Sequence, residues 1–241
     1  MRRGRRPWSG LVPDYQLLIF DWDGTLVDSI SRIVESLRVA ADACDLPQLD
    51  DSALKGIIGL GLPEAIAVLY PDLADPQRIA RYREVYASHY SHLEAAPSPL
   101  FAGVEDALES FREAGYRLAV ATGKTRRGLD RVLAGRGWER YFDITRCADE
   151  AASKPDPLML CQIMAHCGVD VGASLMVGDS PFDLRMARNA GMDCVAVGYG
   201  AQSLDVLRLE SPTLAIEHFD ELRHWLASGA NNPVNKVELH V

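Results

Sequence analysis

Four aspartates stand in two short clusters, Asp21 and Asp23 in Asp21-Trp22-Asp23-Gly24, and Asp179 and Asp183 in Gly178-Asp179-Ser180-Pro181-Phe182-Asp183. Each cluster directly follows an apolar run. Two unit charges 4 Å apart repel by about 4 kcal/mol at an effective dielectric of 20, so four gathered carboxylates would protonate or push apart unless a cation sat among them. Hard oxygen donors at a partly hydrated site suit Mg²⁺. Lys154, in Ser153-Lys154-Pro155, is the lone basic partner expected from the same face, and Thr122, in Thr122-Gly123-Lys124, offers a hydroxyl donor. A divalent ion with an ammonium group makes a phosphate-binding site. Phosphate monoester hydrolysis needs accelerations up to about 10²¹, whereas one general acid supplies only about 10²–10⁴. Several effects must therefore act together: covalent capture by a carboxylate, neutralisation by Mg²⁺ and Lys154, a hydrogen bond from Thr122, and protonation of the leaving oxygen.

The residues that must hold these groups fall into short apolar runs at Gln16–Phe20, Arg117–Ala121, Ser174–Val177 and Asp193–Val197, each leading into small or polar residues. Weaker runs lie at Phe142–Thr145 and Thr213–Ile216. Helical periodicity fills the gaps, with Val104, Leu108 and Phe111 closed by Gly115, and Leu129, Val132 and Leu133 introduced by Thr125. Alternating strand and helix predict an α/β fold, a Rossmann-like, doubly wound parallel sheet covered on both faces. In such sheets ligands bind at the carboxyl ends of strands where strand order reverses. If the first and fourth strands were neighbours, all four aspartates would meet there.

Residues 21–116 separate the first two strong strands, far more than the dozen or so that a crossover needs. An all-helical insert is expected there. Ile30, Ile33, Val34, Leu37 and Ala41 keep helical spacing after the capping candidates Asp28 and Ser29, and Ile79, Tyr82, Val85, Tyr86, Tyr90 and Leu93 do so again. The expected organisation is a basic tail over 1–14, an α/β core over 15–29 and 97–228, a helical insert over 30–96 and a C-terminal tail over 229–241.

Composition narrows the partners. The net charge of −9 includes Arg2, Arg3, Arg5 and Arg6, so the remainder is more acidic still, which argues against nucleic acid. Runs such as Leu17–Phe20 fall far below the roughly 18 apolar residues of a membrane span. The Arg-rich start lacks the apolar stretch of a secretory signal, so a disordered tail and cytoplasmic residence are expected. The five cysteines form no C-x-x-C pair and are read as reduced and mostly buried.

The stretch D-W-D-G-T-L-V-D-S from Asp21 to Ser29, Thr122 after a strand, Lys154 in K-P-D-P, and G-D-S-P-F-D from Gly178 to Asp183 together resemble the haloacid dehalogenase superfamily. A lone D-x-D-G-T is a weak signal; four motifs in order are a strong one. The resemblance implies that Asp21 is a nucleophile forming an aspartyl phosphate, and that Asp23 protonates the leaving alcohol and then activates water. Thr122, Gly123 and Lys154 would hold the phosphoryl group. Asp21, the backbone carbonyl of Asp23, and Asp179 would ligate Mg²⁺, with Asp183 steadying that site. The resemblance also implies the strand order that sets Asp179 beside Asp21. Dehalogenases of the superfamily lack the second aspartate, so Asp23 points to phosphoryl chemistry. The insert resembles the small helical cap of phosphoglycolate phosphatase-like members, which implies a small phosphorylated metabolite as substrate, phosphoglycolate foremost; a monomer or homodimer is expected. A phosphomutase or a phosphonoacetaldehyde hydrolase of the same superfamily is the alternative. A phospho-aspartate receiver module is about half this length and lacks an insert.

Plainer readings stand beside these. Lys154 could be a surface lysine before a turn, and Thr122 a helix cap. Lys55, Gly56 and Gly59 in L-K-G-I-I-G-L-G-L-P are candidates for a substrate-contacting loop of the insert, or glycines that merely separate two helices. His89 and His92 are read as decorating a helix face rather than binding metal. Tyr82, Tyr86 and Tyr90 are read as packing, and Trp22 as packing beside the site with no chemical role.

Overall fold

The computed structural model describes residues 14–230, so the tails expected over 1–14 and 229–241 fall almost wholly outside the described residues. Within them lie the strands β1 (Leu17–Phe20), β2 (Arg117–Thr122), β3 (Ile144–Cys147), β4 (Ser174–Gly178), β5 (Asp193–Val197) and β6 (Leu214–Ile216). They form one parallel sheet in the order β3-β2-β1-β4-β5-β6. Ten α-helices accompany them among the described residues. Four precede β2: α1 (Ile30–Asp42), α2 (Asp51–Lys55), α3 (Leu62–Leu69) and α4 (Pro76–Leu93). The others are α5 (Val104–Glu113), α6 (Arg126–Ala134), α7 (Leu158–Cys167), α8 (Pro181–Ala190), α9 (Leu204–Leu207) and α10 (Phe219–Ala230). None is long and apolar enough to cross a membrane.

The unbroken apolar run of β1 has a direct cause, because both faces of the sheet are covered. Leu18 and Phe20 join a core with residues of α5, α6 and α10, whereas Leu17 and Ile19 join a second with α7, α8 and α9. Strand order reverses at β1, with β2 and β3 on one side and β4, β5 and β6 on the other. Register pairs Phe20 with Val120 and with Val177, so the segments after β1, β2 and β4 emerge side by side.

Helices α1 to α4 share a separate apolar cluster in which Ile30, Ile33, Val34, Leu37 and Ala41 of α1 meet Leu54, Ile66, Leu69 and Tyr82. The Tyr82 hydroxyl donates to the Leu37 carbonyl at 3.0 Å. Asp50 and Asp75 cap α2 and α4 through their side chains.

Two local expectations change, and one plainer reading falls. Strand β3 begins at Ile144, two residues later than Phe142, because Tyr141 and Phe142 pack with Trp138 and the Asp143 carboxylate accepts the Leu118 N–H at 2.9 Å. Ser29 occupies the N-cap position of α1, but its side chain makes no capping bond. Its hydroxyl is directed to Asp23 instead. The residue that caps α6 is Thr125, which accepts the Gly128 N–H, so Thr122 is not a helix cap.

Candidate active site

The chain leaves β1 at Phe20 with Asp21, and leaves β4 at Gly178 with Asp179. Asp21, Asp179, Asp183 and Lys154 are all buried, none more than 2% exposed. The Lys154 ammonium lies 2.6 Å from Asp21 Oδ1 and 2.6 Å from Asp183 Oδ1, which removes the surface-lysine reading. Carboxylate oxygens of Asp21, Asp179 and Asp183 lie within 4.8 Å of one another. Asp183 also accepts from the Ser180 hydroxyl at 2.6 Å, closing a capping box at the start of α8 that fixes its rotamer. Asp179 accepts the Thr25 hydroxyl at 3.1 Å and the Ala201 N–H at 2.7 Å. Gly24, at φ +84°, lies so close to Asp179 that a Cβ there would strike its carboxylate, so the turn after Asp23 requires glycine.

Burial pushes the Asp21 carboxyl up; Lys154 opposes this, but Asp183 and Asp179 add to it, and the balance lies well above the usual carboxylate range. Asp179 is pushed up to about 7, by burial first and then by Asp183. Burial alone would discharge Lys154, yet Asp183 and Asp21 outweigh it and hold the ammonium charged. Three buried carboxylates thus face one ammonium, and Asp21 Oδ2 has no hydrogen-bond partner among the described residues. An excess of buried negative charge with a bare oxygen is the setting a hard divalent cation fits. The residues present fit Mg²⁺.

Asp23 is held differently. Its Oδ1 accepts from the Ser29 hydroxyl at 2.6 Å, from the Lys124 ammonium at 3.0 Å and from the Tyr90 hydroxyl at 3.4 Å. Lys124 also donates to the Tyr90 oxygen at 3.0 Å and stands 4.4 Å from the centre of that ring. Burial opposes the charge on Lys124, but Asp23 more than restores it. Lys154 is therefore not the lone cation here, and Tyr90 is not packing alone. Position two residues beyond Thr122, at a strand end, was the available signal for Lys124. No local signal marked Tyr90, which reaches the site only because α4 lies across α1.

The other candidates separate. Thr122 is buried at the end of β2, its hydroxyl accepting the Lys124 N–H at 3.2 Å. Gly123 lies beneath the carbonyls of Gly59 and Leu60, where a Cβ would collide with both. The loop carrying Gly59 is seated on the sheet end: the Gly61 N–H donates to Ser153 Oγ at 2.9 Å, and Gln202 donates to the Lys55 carbonyl at 3.1 Å. The Lys55 ammonium points to Asp51 at 3.9 Å. A cavity of about 410 Å³ lies between loop and sheet, lined by Asp21, Asp23, Gly59, Gly123 and Lys124 among others; neither Lys55 nor Gly56 lines it. His89 contacts Ser36 at 3.1 Å and joins no metal-ligand group among the described residues. Trp22 is buried edge-on against Trp138 and Phe142.

With this geometry in place, the comparison with known proteins is direct. Residues 18–197 match the family of haloacid dehalogenase-like hydrolases. The chain belongs to that family. Within it the chain falls with the phosphatases: it is 34% identical over 227 residues to a Dickeya dadantii (strain 3937) protein named "Probable phosphatase IndB", covering 91% of this chain and 98% of that one. It is 31% identical over 218 residues to a phosphoglycolate phosphatase of Mesorhizobium japonicum, covering 88% and 94%. The crystal structure of a hydrolase from Pseudomonas syringae superposes with a TM-score of 0.81 at 22% identity, over 88% of this chain and 98% of that one, and shows the same fold.

Proposed function

We propose that this enzyme is a Mg²⁺-dependent phosphatase that releases inorganic phosphate from a small phosphorylated metabolite through an aspartyl phosphate on Asp21. The observation that carries the reading is the set of three buried carboxylates around one ammonium, with Asp21 Oδ2 left bare beside the cavity. Asp21, Asp179 and the backbone carbonyl of Asp23 would hold the ion, with Asp183 in support. When bound, the ion supplies charge neutralisation for the phosphoryl oxygens.

The chain's own groups account for the rest. The Asp21 carboxylate attacks phosphorus while the bond to the alcohol oxygen breaks, and Asp23 gives that oxygen its proton. Asp23 then takes a proton from water as the water attacks phosphorus, freeing Asp21 and inorganic phosphate. Lys154 and the Thr122 hydroxyl hold phosphoryl oxygens, and Gly123 leaves room for them. Residues 30–96 act as a cap that excludes bulk water and reads the alcohol. Phosphoglycolate, named in the Mesorhizobium relative, is the reference substrate. The cytoplasm, where thiols stay reduced, suits a chain whose five cysteines are all free.

The test is phosphate release from a panel of phosphate monoesters with and without Mg²⁺, with Asp21→Asn as blank, and borohydride quenching of the wild type during turnover. Conversion of residue 21 to homoserine is expected, because borohydride reduces an acyl phosphate but not a free carboxylate. Release that persists in Asp21→Asn would overturn the reading.

A further inference from the structure

We infer that the alcohol released at this site is larger and more apolar than glycolate, a phosphate monoester's leaving group with a ring or a branched hydrocarbon body. The inference rests on the phosphatase reading and concerns only the part of the substrate beyond the phosphate. The first observation is room. At about 30 Å³ per water, the cavity of about 410 Å³ would hold on the order of a dozen waters. Glycolate has five non-hydrogen atoms. The loop is already seated through Gly61 and Lys55, so this room remains when the cap lies against the sheet.

The second observation is the wall. On the side of the insert the cavity is lined mostly by apolar residues, Ile33, Leu37, Ile57, Ile58 and Leu62 among them with Tyr86 beside them, while its polar lining residues there, Ser88, Tyr90 and Ser91, all stand on α4. No cation lines that side among the described residues, since the Lys55 ammonium is turned to Asp51. The cations that do line the cavity stand on the loop after β2 and on α6. Lys124 is taken up by Asp23 and Tyr90, and Arg131 donates to Ser91 Oγ at 2.5 Å. Arg127 is exposed at the rim. A carboxylate two atoms from the phosphoryl oxygen would stay near Asp21 and Asp23, whose charge it would meet, and the one cation beside them, Lys124, is already engaged by Asp23 and Tyr90. A hydrocarbon body would instead displace water from an apolar surface, and any second anionic group would sit at its far end, within reach of Arg127.

The test compares kcat/KM with Mg²⁺ for phosphoglycolate, ethyl phosphate and 2-phenylethyl phosphate, all esters of primary aliphatic alcohols. 2-Phenylethyl phosphate is expected to exceed phosphoglycolate by at least about tenfold, since even one methylene in an apolar pocket is worth about 10–200-fold. Leu60→Arg places a cation on the loop wall, and Ala87→Trp fills the cavity from α4; either is expected to cut the ratio several-fold. Melting curves establish that each variant folds. Equal or better turnover of phosphoglycolate by the wild type, or a ratio that both folded variants leave unchanged, overturns the inference and leaves the phosphatase reading intact. No Mg²⁺-dependent hydrolysis of any of the three esters overturns the phosphatase reading itself.

Discussion

The Lys124 ammonium sits 3.0 Å from Asp23 Oδ1, and the same oxygen is met by a hydroxyl from the start of α1 and by another from α4. One carboxylate oxygen is thereby tied to the sheet end and to two helices of the insert at once. The bonds are all on Oδ1 among the described residues, so the Asp23 carboxyl is held in one orientation beside the cavity. An acid must be aimed as well as available, and for Asp23 in the acid role proposed above this arrangement would make the aim depend on where the insert lies.

Lys124→Met keeps the bulk of the side chain and removes that tether. Hydrolysis of ethyl phosphate is expected to fall at least about tenfold more than hydrolysis of p-nitrophenyl phosphate, whose leaving group needs little protonation, because a general acid is worth about 10²–10⁴. The check is the ratio of the two kcat/KM values. Equal losses on both esters would show that Lys124 does not act through Asp23.

Gly123 and the loop at Gly59 touch with no space for a methyl group, since a Cβ on Gly123 would meet the carbonyl oxygens of Leu60 and Gly59. Backbone cannot swing aside as a side-chain end does. Gly123→Ala is expected to lift the loop, lowering kcat/KM on the order of 10²-fold, as misplacements of about 1 Å do. Thermal unfolding should change by no more than about 1–3 kcal/mol, the usual range for an added methyl. Unchanged kinetics would mean that the loop contact plays no part in turnover.

Three buried carboxylates facing one ammonium would destabilise the ion-free chain, and the divalent cation proposed above would relieve them. Mg²⁺ at about 100 times its Kd should therefore raise stability by about 2.7 kcal/mol. Asp179→Asn removes one of the charges that push Asp21 up. Its ion-free form should melt no lower than the wild type, and its Mg²⁺-induced shift should largely vanish. Melting curves with and without Mg²⁺ decide this independently of activity; an undiminished shift would place the ion elsewhere.

Cys161 is exposed on α7, whereas Cys44, Cys147, Cys167 and Cys194 are buried. Burial pushes the Cys147 thiol up to about 12 and the Cys194 thiol up to about 11. A thiol reagent at neutral pH should modify one cysteine per chain quickly and the other four only after unfolding. Peptide mapping of the first site identifies it; rapid labelling at Cys147 would contradict the packing of β3 against its neighbours.

The sheet was legible because strands buried on both faces must be apolar along their whole length, and Leu17-Leu18-Ile19-Phe20 carries that signature without help from its neighbours. The Asp21 and Asp179 positions were legible for a related reason, since each directly follows a fully buried apolar strand, whereas Lys154 lies seven residues beyond β3 and was singled out only by its place after the third strand. Where the reading failed, the residues serve two neighbours at once. Phe142 has strand composition but packs with Trp138 and Tyr141, so β3 starts later. Ser29 has a capping residue's type and place, yet its hydroxyl goes to Asp23. Tyr90 shares the spacing of Tyr82, and nothing local separates the one that packs from the one that reaches the site.

Residue type and periodicity by themselves determined the alternation of strand and helix, the long insert and the presence of carboxylates at strand ends, because each follows from burial within a few residues along the chain. Periodicity did not decide that β1 lies beside β4, which the resemblance implied, and tertiary structure alone decided that Lys124 and Tyr90 converge on Asp23 and that the insert side of the cavity is mostly apolar. Those are contacts between segments tens of residues apart, set by how whole layers pack, and no local pattern encodes the distance between them.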